Sequence, residues 1–121
     1  QGNFRAGVVG VAPMDKRQYP RIKVRNMHID VSDGIGACSG TVHDISRSGL
    51  CLFDLPARVG RKSASYTVVV THGDRLFKFR VRPRWQTADR LYKRMGVEIA
   101  DPPARWRDYV HALEPVARRN G

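Results

Sequence analysis

Apolar and polar residues alternate over most of this chain, in short runs broken by glycine, proline and aspartate, a pattern of strands rather than helices. Residues 22–31 set Ile22 and Val24 against Lys23 and Arg25, lose the beat near Asn26 and resume at Ile29 and Val31, which predicts one strand with an irregularity. The cluster Ser32-Asp33-Gly34-Ile35-Gly36 predicts a turn. Residues 37–45 predict a second strand, since Thr41, Val42 and Ile45 favour extended backbone. Residues 46–49 turn the chain into a short third strand at 50–53, and residues 55–65, with Pro56, Gly60 and three basic residues, predict a loop.

The clearest hairpin pairs residues 66–71 with 76–87 around His72-Gly73-Asp74-Arg75, where Gly73-Asp74 suits the centre of a tight turn. That register sets Val70 against Phe77, Val68 against Phe79 and Tyr66 against Val81, all on one face, and leaves Lys78, Arg80, Arg82 and Arg84 on the other. Pro83 marks an edge or a bulge, residues 88–92 turn, and residues 93–99 form the last strand. Asp101-Pro102 then reads as an N-cap followed by a first-turn proline, and Trp106, Val110 and Leu113 form the stripe of an amphipathic helix that Pro115 ends. Six short strands and one terminal helix predict a mostly β fold, a six-stranded antiparallel barrel with a C-terminal α-helix.

Composition narrows the function. The 121 residues fit one domain with its own core. Lys and Arg outnumber Asp and Glu by 22 to 11, so the domain carries a net charge of +11 and favours an anionic partner. The two cysteines, Cys38 and Cys51, form no CxxC pair and have no histidine at zinc-ligand spacing, which fits free thiols in a reducing cytoplasm. No apolar run approaches the ~20 residues of a membrane helix. Residues 1–13, rich in glycine and starting at Gln1, read as a flexible tail, native or added, with Met14 a candidate start.

Two stretches carry the candidate chemistry. Lys16-Arg17-Gln18-Tyr19-Pro20-Arg21 reads as a basic loop, and Pro20 keeps Tyr19 out of the helical region, so Arg17 and Arg21 do not share a helix face. His43-Asp44-Ile45-Ser46-Arg47-Ser48-Gly49 links the second and third strands. Taken alone, the arginine pair is expected by chance in so basic a chain, and Asp, Ser and Gly are ordinary turn residues. The four histidines are scattered and read as structural or exposed. His43 beside Asp44 makes no triad, because adjacent strand residues point to opposite faces. No metal, cofactor or catalytic residue is expected.

Together, Arg17-xxx-Arg21 before the first strand and Asp44-x-Ser46-x-x-Gly49 after the second, with Trp85 and Met95-Gly96-Val97 further on, resemble the PilZ domain family. The resemblance covers residues 16–116 and implies a cytoplasmic, non-enzymatic receptor for the bacterial second messenger cyclic di-GMP that relays its state to a protein partner. It implies ligand contacts from Arg17, Arg21, Asp44, Ser46 and Gly49, with Lys16 and Arg47 as further cations. Residues 14–121 would form the domain: a ligand-binding switch loop at 14–21, a barrel at 22–100 and a helix at 101–117. Lys16 directly before the motif suggests two stacked ligands per chain, whose phosphates need the added charge. The residue types suit the ligand: guanidinium groups fork onto phosphate or onto guanine O6 and N7, and a carboxylate accepts from the guanine N–H edge. The alternatives are a small basic barrel that binds nucleic acid through the Lys78–Arg84 face, and a PilZ-like adaptor acting only through protein contacts. A stable nucleic-acid complex is the less expected of these, because the chain lacks interleaved stacking aromatics.

Overall fold

In the computed structural model, which describes residues 19–57 and 64–115, the hairpin sets the frame. Strands β5 (Tyr66–His72) and β6 (Arg75–Ala88) pair with Val70 opposite Phe77, Val68 opposite Phe79 and Tyr66 opposite Val81. Gly73 supplies the positive φ of 64° that the tight turn requires. The inward residues are buried, and Lys78, Arg80, Arg82 and Arg84 are exposed.

The remaining strands are β1 (Ile22–Lys23), β2 (Met27–Ser32), β3 (Ala37–Ile45), β4 (Gly49–Pro56) and β7 (Tyr92–Ile99). All pairings are antiparallel, in the order β1-β3-β2-β5-β6-β7-β4, and a further β3–β4 pairing closes the sheet. Both β1 and β2 pair with β3, and they are separated at Asn26, which has φ 57°. They act as one strand with a break, as the lost alternation near Asn26 predicts, so the closed barrel has six strands.

The third strand is longer than residues 50–53. Past Asp54, at φ 62°, a register shift lets Leu55 and Pro56 rejoin β7 opposite Lys93 and Tyr92. Leu55 is thereby fully buried, which a loop at that position would not achieve. Of the predicted loop at 55–65, residues 58–63 lie outside the described residues.

The terminal helix, α1 (Ala104–Leu113), starts later than Asp101-Pro102 suggests. Pro103 is its N-cap, with ψ 149° and no side-chain cap bond. Two consecutive prolines explain the shift: a residue before proline is disfavoured in the helical region, so Pro102 cannot open the helix. Asp101, at φ 57°, serves the turn out of β7 instead. Leu113 is partly exposed, and Tyr109 takes its expected place beside Trp106 and Val110 against the core. Trp106 meets Phe77 edge-on, with ring centroids 5.1 Å apart, and Phe79 at 5.2 Å. Each such buried side chain contributes about 1.5–3 kcal/mol.

Candidate functional site

Two bulges build the site. Strand β3 buries Val42 and Ile45, so strict alternation would turn Asp44 inward with Val42. The β3–β4 register instead pairs Val42 with Leu52 and Asp44 with Cys51, leaving His43 as an extra residue. Asp44 therefore faces outward. The same happens in β6, where Pro83 pairs with Val97 and Trp85 with Gly96, leaving Arg84 extra and moving Trp85 to the outer surface. Pro83 stands at this bulge, as its chemistry predicts.

A lateral row results. Asp44 is opposite Cys51, Cys51 is opposite Gly96 and Gly96 is opposite Trp85, across four strands. Arg21, just before β1, reaches over this row and donates from Nη1 to Asp44 Oδ1 at 3.1 Å. Arg21, Asp44, Cys51, Trp85 and Gly96 line a hollow of about 260 Å³. Gly96 is its floor: a Cβ there would overlap the Trp85 indole, which is 46% exposed.

The Ser46–Gly49 turn lies beside the hollow. Ser46 N–H donates to the Gly49 carbonyl at 2.8 Å, Ser48 N–H to Ser46 Oγ at 3.2 Å, and Trp106 Nε1–H to the Ser46 carbonyl at 3.2 Å. Gly49 is required for close approach rather than for a positive φ. A Cβ there would stand 2.9 Å from the Val97 carbonyl oxygen, 3.6 Å from Arg21 Nη2 and 3.7 Å from Ser46 Oγ. Gly49→Ala must push β4 away from the β7 backbone. It is expected to cost about 1–3 kcal/mol, and equal melting temperatures for variant and parent would refute the contact.

Arg47 points the other way. Its Nε and Nη2 each donate to the Glu114 carboxylate at 2.8 Å, a bidentate clamp onto the end of α1, and its guanidinium lies 4.9 Å from the Tyr19 ring centroid. Glu114 is almost wholly buried, and the Arg47 bond, then the His111 bond, hold its carboxyl below the ordinary 4.5 against the opposing effect of burial. A folded-state value lowered in this way contributes stability above the unfolded value and loses it as pH falls through the folded one. Thermal midpoints from about pH 6 to pH 3 should therefore fall more steeply for the parent than for Glu114→Gln. Parallel curves would remove the clamp from the acid response.

Adjacent His43 and Asp44 do meet, against the expectation from alternation. With His43 at the bulge, its Nδ1 lies 2.9 Å from Asp44 Oδ2. Burial, and then the Asp44 charge, push the Cys51 thiol up, so it is no activated nucleophile. Among the described residues neither Cys38 nor Cys51 is in a disulfide. The expected contacts Arg21, Asp44, Ser46 and Gly49 are thus brought together, and Arg47 is engaged with α1. Arg17, Lys16 and most of the 14–21 loop lie outside the described residues, as do the 1–13 tail and residues 116–117 of the expected helix segment. Sequence reasoning noted Trp85 and Gly96 without making them site residues; a glycine in strand 92–99 facing an aromatic across the register is the signal that finds them.

A family model for the PilZ domain matches residues 15–113. The chain belongs to the PilZ domain family. No curated protein matches it in sequence. Among solved structures, this PilZ domain is similar to the Bacillus subtilis inhibitor of motility MotI/DgrA, at TM-score 0.68 and 16% identity, over 87% of this chain and 51% of that one. It is also similar to Escherichia coli YcgR in complex with c-di-GMP, at TM-score 0.62 and 16% identity, over 87% of this chain and 49% of that one. The third is Borreliella burgdorferi PlzA in complex with c-di-GMP, at TM-score 0.61 and 15% identity, over 84% of this chain and 52% of that one. The chain spans about half the length of these proteins. Among the described residues no helix is long and apolar enough to cross a membrane.

Proposed function

We propose that this PilZ domain is a non-enzymatic cytoplasmic receptor for cyclic di-GMP that relays the ligand-bound state to a protein partner. One observation carries the reading: Arg21 and Asp44, paired with each other, line a hollow floored by Gly96 and walled by Trp85, with the Ser46–Gly49 turn packed beside Arg21. Arg21 forks onto a phosphate or a guanine Hoogsteen edge, and Asp44 accepts from the guanine N–H groups. Ser46 donates or accepts beside them, and Gly49 lets the backbone approach. Trp85 offers a face on which a purine stacks.

The hollow, about 260 Å³, is smaller than the ~300–1,000 Å³ of pockets that enclose a drug-sized ligand. It seats part of a dinucleotide, and Lys16 and Arg17 supply contacts to the rest. Engagement of the N-terminal motif by the ligand is then the change a partner reads. Two stacked ligands per chain, with Lys16 offsetting part of their charge, belong to the same reading.

Binding of fluorescent cyclic di-GMP, competed by unlabelled cyclic di-GMP, GTP and single-stranded DNA, tests it. Saturable binding displaced only by the cyclic dinucleotide is expected, with calorimetry giving a ratio near two that Lys16→Leu lowers toward one. Displacement by single-stranded DNA as well would favour the nucleic-acid reading, and no binding at all would leave an adaptor.

A further inference from the structure

The bulge that turns Asp44 outward assembles a second set of ligand atoms. A His43 ring nitrogen, an Asp44 carboxylate oxygen and Cys51 Sγ all lie within 4.8 Å of one another, on three partly buried residues. We propose that His43, Asp44 and Cys51 bind a thiophilic divalent cation of the zinc class, and that cation and nucleotide compete for Asp44.

The donor set selects the ion. One imidazole, one carboxylate and one sulfur suit zinc and its borderline neighbours, whereas magnesium and calcium take all-oxygen sites. With the thiol proton released to solvent as the sulfur–metal bond forms, the ligands carry two negative charges against two positive ones. Metal–ligand lengths of about 2.0–2.3 Å put tetrahedral donor atoms roughly 3.3–3.8 Å apart. The His43–Asp44 contact, now 2.9 Å, opens by a few tenths of an ångström, and the widest separation, up to 4.8 Å, closes by about 1 Å. Side-chain rotation supplies both. Three protein ligands leave a fourth position for water, as in exchangeable rather than structural sites.

The surroundings are arranged for it. Arg21 occupies Asp44 Oδ1, while Oδ2 is the oxygen turned to His43, so the cation takes one oxygen and Arg21 keeps the other. The imidazole lies flat on Phe53, with ring centroids 4.4 Å apart and planes 7° apart, which holds it in place before any ion arrives. Cys51 lines the same hollow as Arg21 and Trp85, so the site opens where the nucleotide would sit. The competition rests on the nucleotide reading above: a carboxylate oxygen bound to a metal no longer accepts from a guanine. The metal site itself does not depend on that reading.

Cobalt(II) titrated into the reduced, chelator-stripped full chain reads the site without nucleotide. A thiolate-to-cobalt charge-transfer band is expected that disappears in Cys51→Ser, persists in Cys38→Ser and needs about tenfold more cobalt in His43→Gln. Melting curves show that each variant is folded. No band in the parent, or a band that survives Cys51→Ser, overturns the site. Cyclic di-GMP affinity is then measured with chelator and with zinc. Zinc should weaken it about tenfold in the parent, and about tenfold more zinc should be needed for the same effect in His43→Gln. Equal affinity in both media overturns the competition. A parent that binds no nucleotide even with chelator ends both the competition and the nucleotide reading, while the cobalt band still decides the metal site.

Discussion

Arg21→Ala should weaken cyclic di-GMP binding by roughly 10- to 100-fold and leave the barrel folded. The guanidinium is partly exposed and bonds Asp44 rather than the core, at 3.1 Å. A hydrogen bond to a charged group is worth about 1.5–3 kcal/mol, and each 1.4 kcal/mol is tenfold in affinity. Arg21 and Asp44, the two groups proposed to grip the nucleotide, grip each other. On the proposed reading, binding would exchange that pair for phosphate and guanine contacts, with each partner held near its working position beforehand. Asp44→Ala should differ in kind: it removes the acceptor for the guanine edge, so cyclic di-GMP should lose its advantage over cyclic di-AMP. Calorimetry with both dinucleotides separates these effects. Binding by Arg21→Ala within twofold of the parent would remove Arg21 from the site. Discrimination in Asp44→Ala no worse than in Arg21→Ala would remove the guanine contact.

The largest stability loss should follow Trp106→Ala. This indole is fully buried under α1, packs on Phe77, Phe79 and Tyr109, and reaches the Ser46 carbonyl through Nε1 at 3.2 Å. Truncating a buried tryptophan costs about 3–5 kcal/mol, which lowers the melting temperature of a domain this size by roughly 10–20 °C. Trp106→Phe keeps most of the ring burial and deletes the donor to Ser46, so it should cost about 1 kcal/mol and act mainly on the turn. Thermal unfolding and ligand affinity measured on both variants separate packing from positioning. Equal melting temperatures for Trp106→Ala and the parent would mean that α1 does not hold the barrel.

The hairpin register and the interrupted first strand were legible because they rest on local pattern. Tyr66, Val68 and Val70 meet Val81, Phe79 and Phe77 as alternation and a Gly73-Asp74 turn require. The break at Asn26 shows as a missed beat. The start of α1 departs from the Asp101-Pro102 signal because a second proline, Pro103, follows and takes the N-cap. The third strand runs on through Pro56, a loop-type residue, because pairing with β7 resumes past Asp54.

The amino-acid sequence alone determined the strands, their buried face and the basic outer face on β6, since each follows from side-chain chemistry repeated at a fixed period, and it carried the two motifs whose conjunction resembles the PilZ family. It could not determine which way Asp44 and Trp85 point. That is decided by the bulges at His43 and Arg84, and a bulge exists only relative to a partner strand far away in the chain. One extra residue on each strand reverses the alternation beyond it. This turns a carboxylate and an indole that strict period would bury onto the outer surface, on either side of Gly96.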